Sequence, residues 1–112
     1  WRAARWLSVN MYDFPLTGAQ KTFLRGLGQT TEPSVMVGRS GLTPEFFAEL
    51  QKQLNLRELV KIRFTAADRK ERPELLARLV DEGRCVSVGA VGATALVFRQ
   101  NPDPARRVIE LE

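Results

Sequence analysis

From Thr17 onward the apolar positions fall into blocks whose period switches between helix and strand. Thr17-x-x-Gln20 has the form of a capping box. Ala19, Phe23 and Leu27 follow at helical spacing, with Leu16, Leu24 and Gly28 around them. This predicts a first helix of about three turns, stopped by Gly28. Val35 to Val37 is a short apolar run and reads as a buried strand. Thr43 as N-cap and Pro44 at the first helical position open a second helix, to about Leu54. Its stripe is Phe46, Phe47, Leu50 and Leu54, read as core. Glu58 to Thr65 alternates: Val60, Ile62 and Phe64 point one way, and Lys61, Arg63 and Thr65 the other. A third helix is expected from Pro73 to Glu82, with stripe Leu75, Leu76, Leu79 and Val80 and a stop at Gly83. Cys85–Val88 and Ala95–Phe98 then form two strands turned at Gly92-Ala93.

The order is helix, strand, helix, strand, helix, strand, strand. Strands joined through helices should run parallel with right-handed crossovers, and the last hairpin adds an antiparallel pair. The expected fold is a two-layer α+β sandwich built on one mixed four-stranded sheet.

The stretch with chemical content is Val35-Met36-Val37-Gly38-Arg39-Ser40-Gly41-Leu42-Thr43-Pro44. Strand, G-x-x-G and helix start lie within it. Glycine permits tight backbone angles and the close approach of another molecule. Loop amides and a helix N-terminus offer N–H groups and partial positive charge, which suit a phosphate. Arg39 adds a full charge. A plain strand-to-helix turn needs the same glycines for geometry alone. The stretch lacks the spacing of a P-loop or of a dinucleotide turn. A G-x-x-G loop does clamp nucleotide backbones in K-homology RNA-binding domains.

Composition narrows the options. Over 112 residues, 44% are hydrophobic and 27% charged, which fits one globular domain. Lys and Arg number 17 against 13 acids, a net +4, which argues for nucleic acid only if the cations cluster on one face. With no histidine and Cys85 alone, a zinc site is not expected and the Ser-His-Asp and Cys-His nucleophile systems are excluded; metal hydrolysis through carboxylates alone stays open, but no acidic cluster suggests it. No apolar run reaches the length of a membrane span, and 1–11 lacks the apolar centre of a secretory signal, so a cytoplasmic protein is expected. Residues 1–15, with Trp1, Trp6 and Tyr12, read as an N-terminal extension or as sequence upstream of a true start at Met11. Residues 16–100 read as the domain and 101–112 as a C-terminal tail.

Leu16-Thr17 with Lys21, Leu24-x-x-Leu27, Val35-x-Val37-Gly38-x-x-Gly41-Leu42-Thr43, Glu58-Leu59-Val60-Lys61-Ile62 and Val91-Gly92-x-x-x-Leu96-Val97-Phe98-Arg99 resemble, in order and spacing, the CRM domain. This is the chloroplast RNA splicing and ribosome maturation domain, whose single-domain bacterial form is the YhbY-like protein. The resemblance spans Leu16 to about Arg99. It implies a βαβαββ core with an additional N-terminal helix, similar to the C-terminal domain of a bacterial translation initiation factor. It also implies RNA binding through the G-x-x-G loop and neighbouring basic surface, and an association with large-subunit precursors. Many family members carry a lysine in the loop; here Arg39 and Ser40 fill the middle pair.

Together these readings predict a non-enzymatic, monomeric RNA-binding protein assisting ribosome assembly, with no cofactor and no metal. Gly38 and Gly41 would shape the clamp, with Arg39 and Ser40 on phosphate. Lys21, Arg25, Lys61, Arg63 and Arg99 are candidates for a flanking basic track. No exposed aromatic is expected, since the Phe residues fit the core, so recognition should go by shape and backbone. The alternative is a protein-interaction module that reaches the ribosome through a protein partner. Salt-dependent RNA binding separates the two.

Overall fold

The computed structural model describes residues 16–101 and 103–109. Helix α1 is Gly18–Gln29, strand β1 Val35–Val37, helix α2 Pro44–Arg57 and strand β2 Leu59–Phe64. Helix α3 is Glu71–Gly83, and strands β3 and β4 are Val86–Val91 and Thr94–Phe98. A short 3-10 turn, Pro104–Arg106, follows. The sheet order is β1-β2-β4-β3, with β1 parallel to β2 and β4 antiparallel to both its neighbours. The predicted mixed four-stranded sheet is therefore present. Its crossover from β2 through α3 lands one strand further out than expected, because β4 folds back into the gap between β2 and β3.

Strand alternation divides the core in two. Val35, Val37, Val60, Ile62, Phe64, Ala95 and Val97 face α2 and α3, meeting Phe46, Leu50, Leu54 and Leu79. On the opposite face Leu59, Val88 and Phe98 meet Leu24 of α1. Fully burying a leucine such as Leu24 stabilises by about 2 kcal/mol.

The first helix is set differently from its expected stripe. Its capping box is present: Thr17 Oγ1 accepts from the Gln20 amide, and the Gln20 side chain accepts from the Thr17 amide. Its buried residues, however, are Leu24 and Gly28, while Ala19 is exposed and Phe23 is 49% exposed. Gly28 is not the stop. It lies inside the helix, where a Cβ would overlap the methyl groups of Leu96. A Cβ there would have to push the Leu96 side chain aside, so glycine suits this close approach to the sheet, and in that seating Phe23 lies outside the core.

Helix α2 runs one turn past the expected Leu54. It ends at Glu58, which has a positive φ of 65° and donates its amide to the Leu54 carbonyl. Helix α3 begins two residues before Pro73 and ends as expected at Gly83, but the left-handed residue is Arg84, with φ 56°. Gly83 serves packing, since a Cβ there would come within 2.8 Å of Leu50 Cδ2.

Glu58 also fastens the tail. Its side chain is fully buried and its carboxylate accepts three backbone N–H groups, from Asn101 at 2.6 Å, Val108 at 2.8 Å and Ile109 at 3.0 Å. Asn101 is itself buried, and its side chain donates to the Asn55 carbonyl. Ile109 packs on the α1-side core. Residues 101 and 103–109 thus lie on the domain.

Candidate nucleic-acid interface

The G-x-x-G segment is a β-turn: the Gly41 amide donates to the Gly38 carbonyl at 3.0 Å. Gly41 follows with φ of 72°, a conformation that glycine adopts without penalty. Thr43 then caps α2, its Oγ1 accepting from the Phe46 amide at 3.0 Å, with Pro44 at the first position. Arg39 and Ser40 are exposed at the tip, and neither has a hydrogen-bond partner among the described residues. Glu45 occupies the first turn of α2, so that helix end already has a carboxylate. The anion-ready groups are those of the turn itself. Thr65 supports the turn from β2: its amide and its hydroxyl both donate to the Val37 carbonyl, at 2.9 and 3.2 Å.

Register places the loop relative to the basic residues. Val37 is paired with Phe64 and Met36 with Arg63, and Arg63 is paired in turn with Thr94. The G-x-x-G turn therefore leaves the same end of the sheet as Arg63 and the β3–β4 turn. Arg63 is exposed, beside Met36, which is 60% exposed. Lys61 lies two residues back on the same face. Its ammonium donates to the Gly28 carbonyl at 3.2 Å. Helix α1 has no basic residue in its last turn, so a strand lysine supplies the cation that its C-terminal carbonyls favour.

Arg25 projects from α1 on the same side, its stem lying against Gly89, where a Cβ would sit 3.0 Å from Arg25 Cδ. Lys21 is one turn earlier on that flank. Phe23 is about 200° around the helix from Arg25, on the other flank. It corrects the expectation that no aromatic is exposed, but it does not join the basic residues.

Arg99 stands apart. It follows the far end of β4, beyond the Leu59–Phe98 pair, at the opposite end of the sheet from the loop. Its guanidinium donates to the Gly83 carbonyl at 3.3 Å and to Asn55 Oδ1 at 3.0 Å, so it ties α3 to α2. Burial lowers its pKa, opposed by the neighbouring Cys85. Burial likewise pushes the Cys85 thiol up to about 12, with Arg99 pulling it down.

Charge is segregated across the molecule. Helix α1 and the four strands carry Lys21, Arg25, Lys61 and Arg63 and no acid. Helices α2 and α3, on the other face, carry Glu45, Glu49, Glu71, Glu74, Asp81 and Glu82 among their charges. The sheet thus separates elements whose only charges are cations from helices that carry a mixed, mainly acidic set.

A family model, the CRS1 / YhbY (CRM) domain, matches residues 16–99. The chain belongs to the CRM-domain family. Among relatives of this CRM domain is a chain of Pseudomonas aeruginosa named "Probable RNA-binding protein", 37% identical over 93 residues, 83% of this chain and 89% of that one. An RNA-binding protein of Haemophilus influenzae is 33% identical over 88 residues, covering 79% of this chain and 89% of its own. The solution structure of a Staphylococcus aureus protein superposes with a TM-score of 0.74 at 26% identity, over 88% of this chain and all of that one.

What the sequence did not reveal in this CRM domain is a cleft between α1 and the β3–β4 hairpin, about 450 Å³ in volume. Arg25, Lys61, Thr94 and Leu96 line it, together with Gly28 and Gly89. The signal available in the sequence was the pair of glycines, each inside a regular element where glycine has no conformational use. The N-terminal extension, with Trp1, Trp6, Arg2 and Arg5, lies outside the described residues.

Proposed function

We propose that this protein binds RNA, gripping phosphates with the Gly38–Gly41 turn and laying the chain across the α1-and-sheet face. Gly38 and Gly41 shape the turn, Arg39 and Ser40 meet a phosphate, and Arg63, Lys61, Arg25 and Lys21 extend the track. The carrying observation is that the turn with its open groups lies at one end of a sheet whose strands, with α1 packed on them, bear these four cations and no acid of their own. The names of the relatives support RNA as the ligand. Arg99 is left out of the track, since its guanidinium is spent on Gly83 and Asn55. The RNA is ribosomal, within a large-subunit precursor, and the protein acts there as a cytoplasmic, monomeric assembly factor rather than as an enzyme.

The test is titration of the purified chain against large-subunit precursor RNA over a salt series, with Arg39→Ala beside it. Removing one charge-assisted hydrogen bond to phosphate should cost about 1–3 kcal/mol of binding, with the melting temperature unchanged. Salt-independent binding, or a folded Arg39→Ala chain of full affinity, would overturn the proposal. Sedimentation of tagged protein in cells should place it with large-subunit precursors; free protein only would remove the ribosomal part.

A further inference from the structure

The cleft between α1 and the β3–β4 hairpin has a use that a phosphate-gripping surface does not need. Its floor is Leu96 and strand backbone, its rim carries Arg25 and Lys61, and no acid lines it. Two glycines build it. Gly28 lets the end of α1 settle onto Leu96, and Gly89, beside a register shift in β3, lets the Arg25 stem lie flat on the strand. Lys61 gives one N–H to Gly28 and keeps two more for a ligand. A volume of about 450 Å³ falls in the range of small-molecule sites and is far too small for a helix of RNA. An apolar floor with a cationic rim matches one group in RNA: a single unpaired nucleotide, base inward and phosphate at the mouth.

We propose that the cleft takes one unpaired nucleotide of the bound RNA, with its phosphate on Arg25 and Lys61. This rests on the RNA-binding reading above and adds a preference for bulged or looped RNA over uninterrupted duplex. The cleft shares its cationic rim with the track. Lys61 is two residues from Arg63 on the same face of β2, so a strand held at the Gly38–Gly41 turn reaches the cleft across that face.

The test uses two hairpin RNAs of identical helix, one fully paired and one with a single bulged 2-aminopurine. The wild-type chain should prefer the bulged RNA by roughly tenfold, the equivalent of about one hydrogen bond to a charged donor. The 2-aminopurine emission should change on binding. Thr94 faces the cleft and is not one of the cations of the track, although Arg63 is its cross-strand neighbour. Thr94→Phe and Thr94→Leu both fill the site, one with a ring and one without, so a new stacking partner cannot mimic it. A thermal transition confirms that each is folded. Both should bring the bulged RNA down to the affinity that the same variant has for the paired one, whatever the neighbouring Arg63 does to both. Equal wild-type affinity for the two RNAs, or a preference that survives in both variants, overturns the nucleotide site and leaves the RNA-binding reading standing. Failure to bind either RNA overturns both.

Discussion

Glu58→Gln tests the fully buried carboxylate among the described residues. The substitution keeps shape and length but exchanges one carboxylate oxygen for an NH2. In the native arrangement Oε1 accepts from Val108 and Ile109, and Oε2 accepts from Asn101 at 2.6 Å. Whichever way the amide lies, its NH2 points at one or two backbone N–H groups, so an acceptor site becomes a donor–donor contact. Hydrogen bonds to a charged partner contribute roughly 1.5–3 kcal/mol each, and an unpaired buried donor costs a similar amount. Simple addition overstates the loss, because the tail can peel away and let water reach all of these groups. The cost is then bounded by what docking the tail contributes. An expected destabilisation of roughly 2–4 kcal/mol follows, large against the 5–15 kcal/mol typical of a domain. The melting temperature should fall by roughly 10–20 °C. Denaturant unfolding gives the free energy, and hydrogen exchange at the Asn101, Val108 and Ile109 amides locates it. A variant within about 0.5 kcal/mol of the parent, with those amides still protected, would refute the reasoning.

Arg63 and Arg99 should part company. Arg63→Glu should lower the slope of log affinity on log salt by about one unit for each phosphate no longer neutralised, with little change in stability. Arg99→Met should leave RNA affinity intact and cost roughly 0.5–1.5 kcal/mol of stability, measured by denaturant unfolding, because its bonds to Gly83 and Asn55 are lost while the Gly83 carbonyl keeps Gln51 Nε2 at 2.8 Å and Asn55 is open to water. For Cys85, alkylation by iodoacetamide at pH 8.5 should be far slower than for a free thiol and should speed up to the free-thiol rate in denaturant. Its linkage to pH has a definite sign. Below the ordinary thiol value near 9.0 both states hold the proton; above it the unfolded state loses the proton and the folded state keeps it up to about 12. Stability should therefore fall with rising pH across that window, by up to about 1.4 kcal/mol per unit, and Cys85→Ala should remove that part of the slope.

The elements legible in sequence were those whose signal is local. The alternation of Val60, Ile62 and Phe64, the Thr17 and Thr43 caps, and the Gly92-Ala93 turn all appear where the pattern put them. What escaped was decided by tertiary contact. Ala19, Phe23 and Leu27 form a sound helical stripe on paper, yet α1 seats Gly28 against Leu96 and has Leu24 inward instead. Strand pairing failed in the same way. Nothing in the β3 and β4 sequences says that β4 will insert beside β2, and only the sheet order puts Arg99 at the end away from the loop. The partners of Glu58 were invisible because they are backbone amides about 40 to 50 residues away.

Lys61 shows why a cation in a predicted track is not simply a phosphate contact. Its ammonium already serves the C-terminal end of α1, at 3.2 Å from the Gly28 carbonyl, and its side chain is only partly exposed. Replacing it with glutamate would set a carboxylate against helix carbonyls and the negative end of the helix dipole. The resulting loss of RNA binding would then mix a displaced α1 with a missing charge. Arg63, exposed and without a partner among the described residues, reports charge alone. Comparison of Lys61→Met with Arg63→Met separates the two effects: both should reduce the salt slope, but only Lys61→Met should loosen α1 and the cleft behind it.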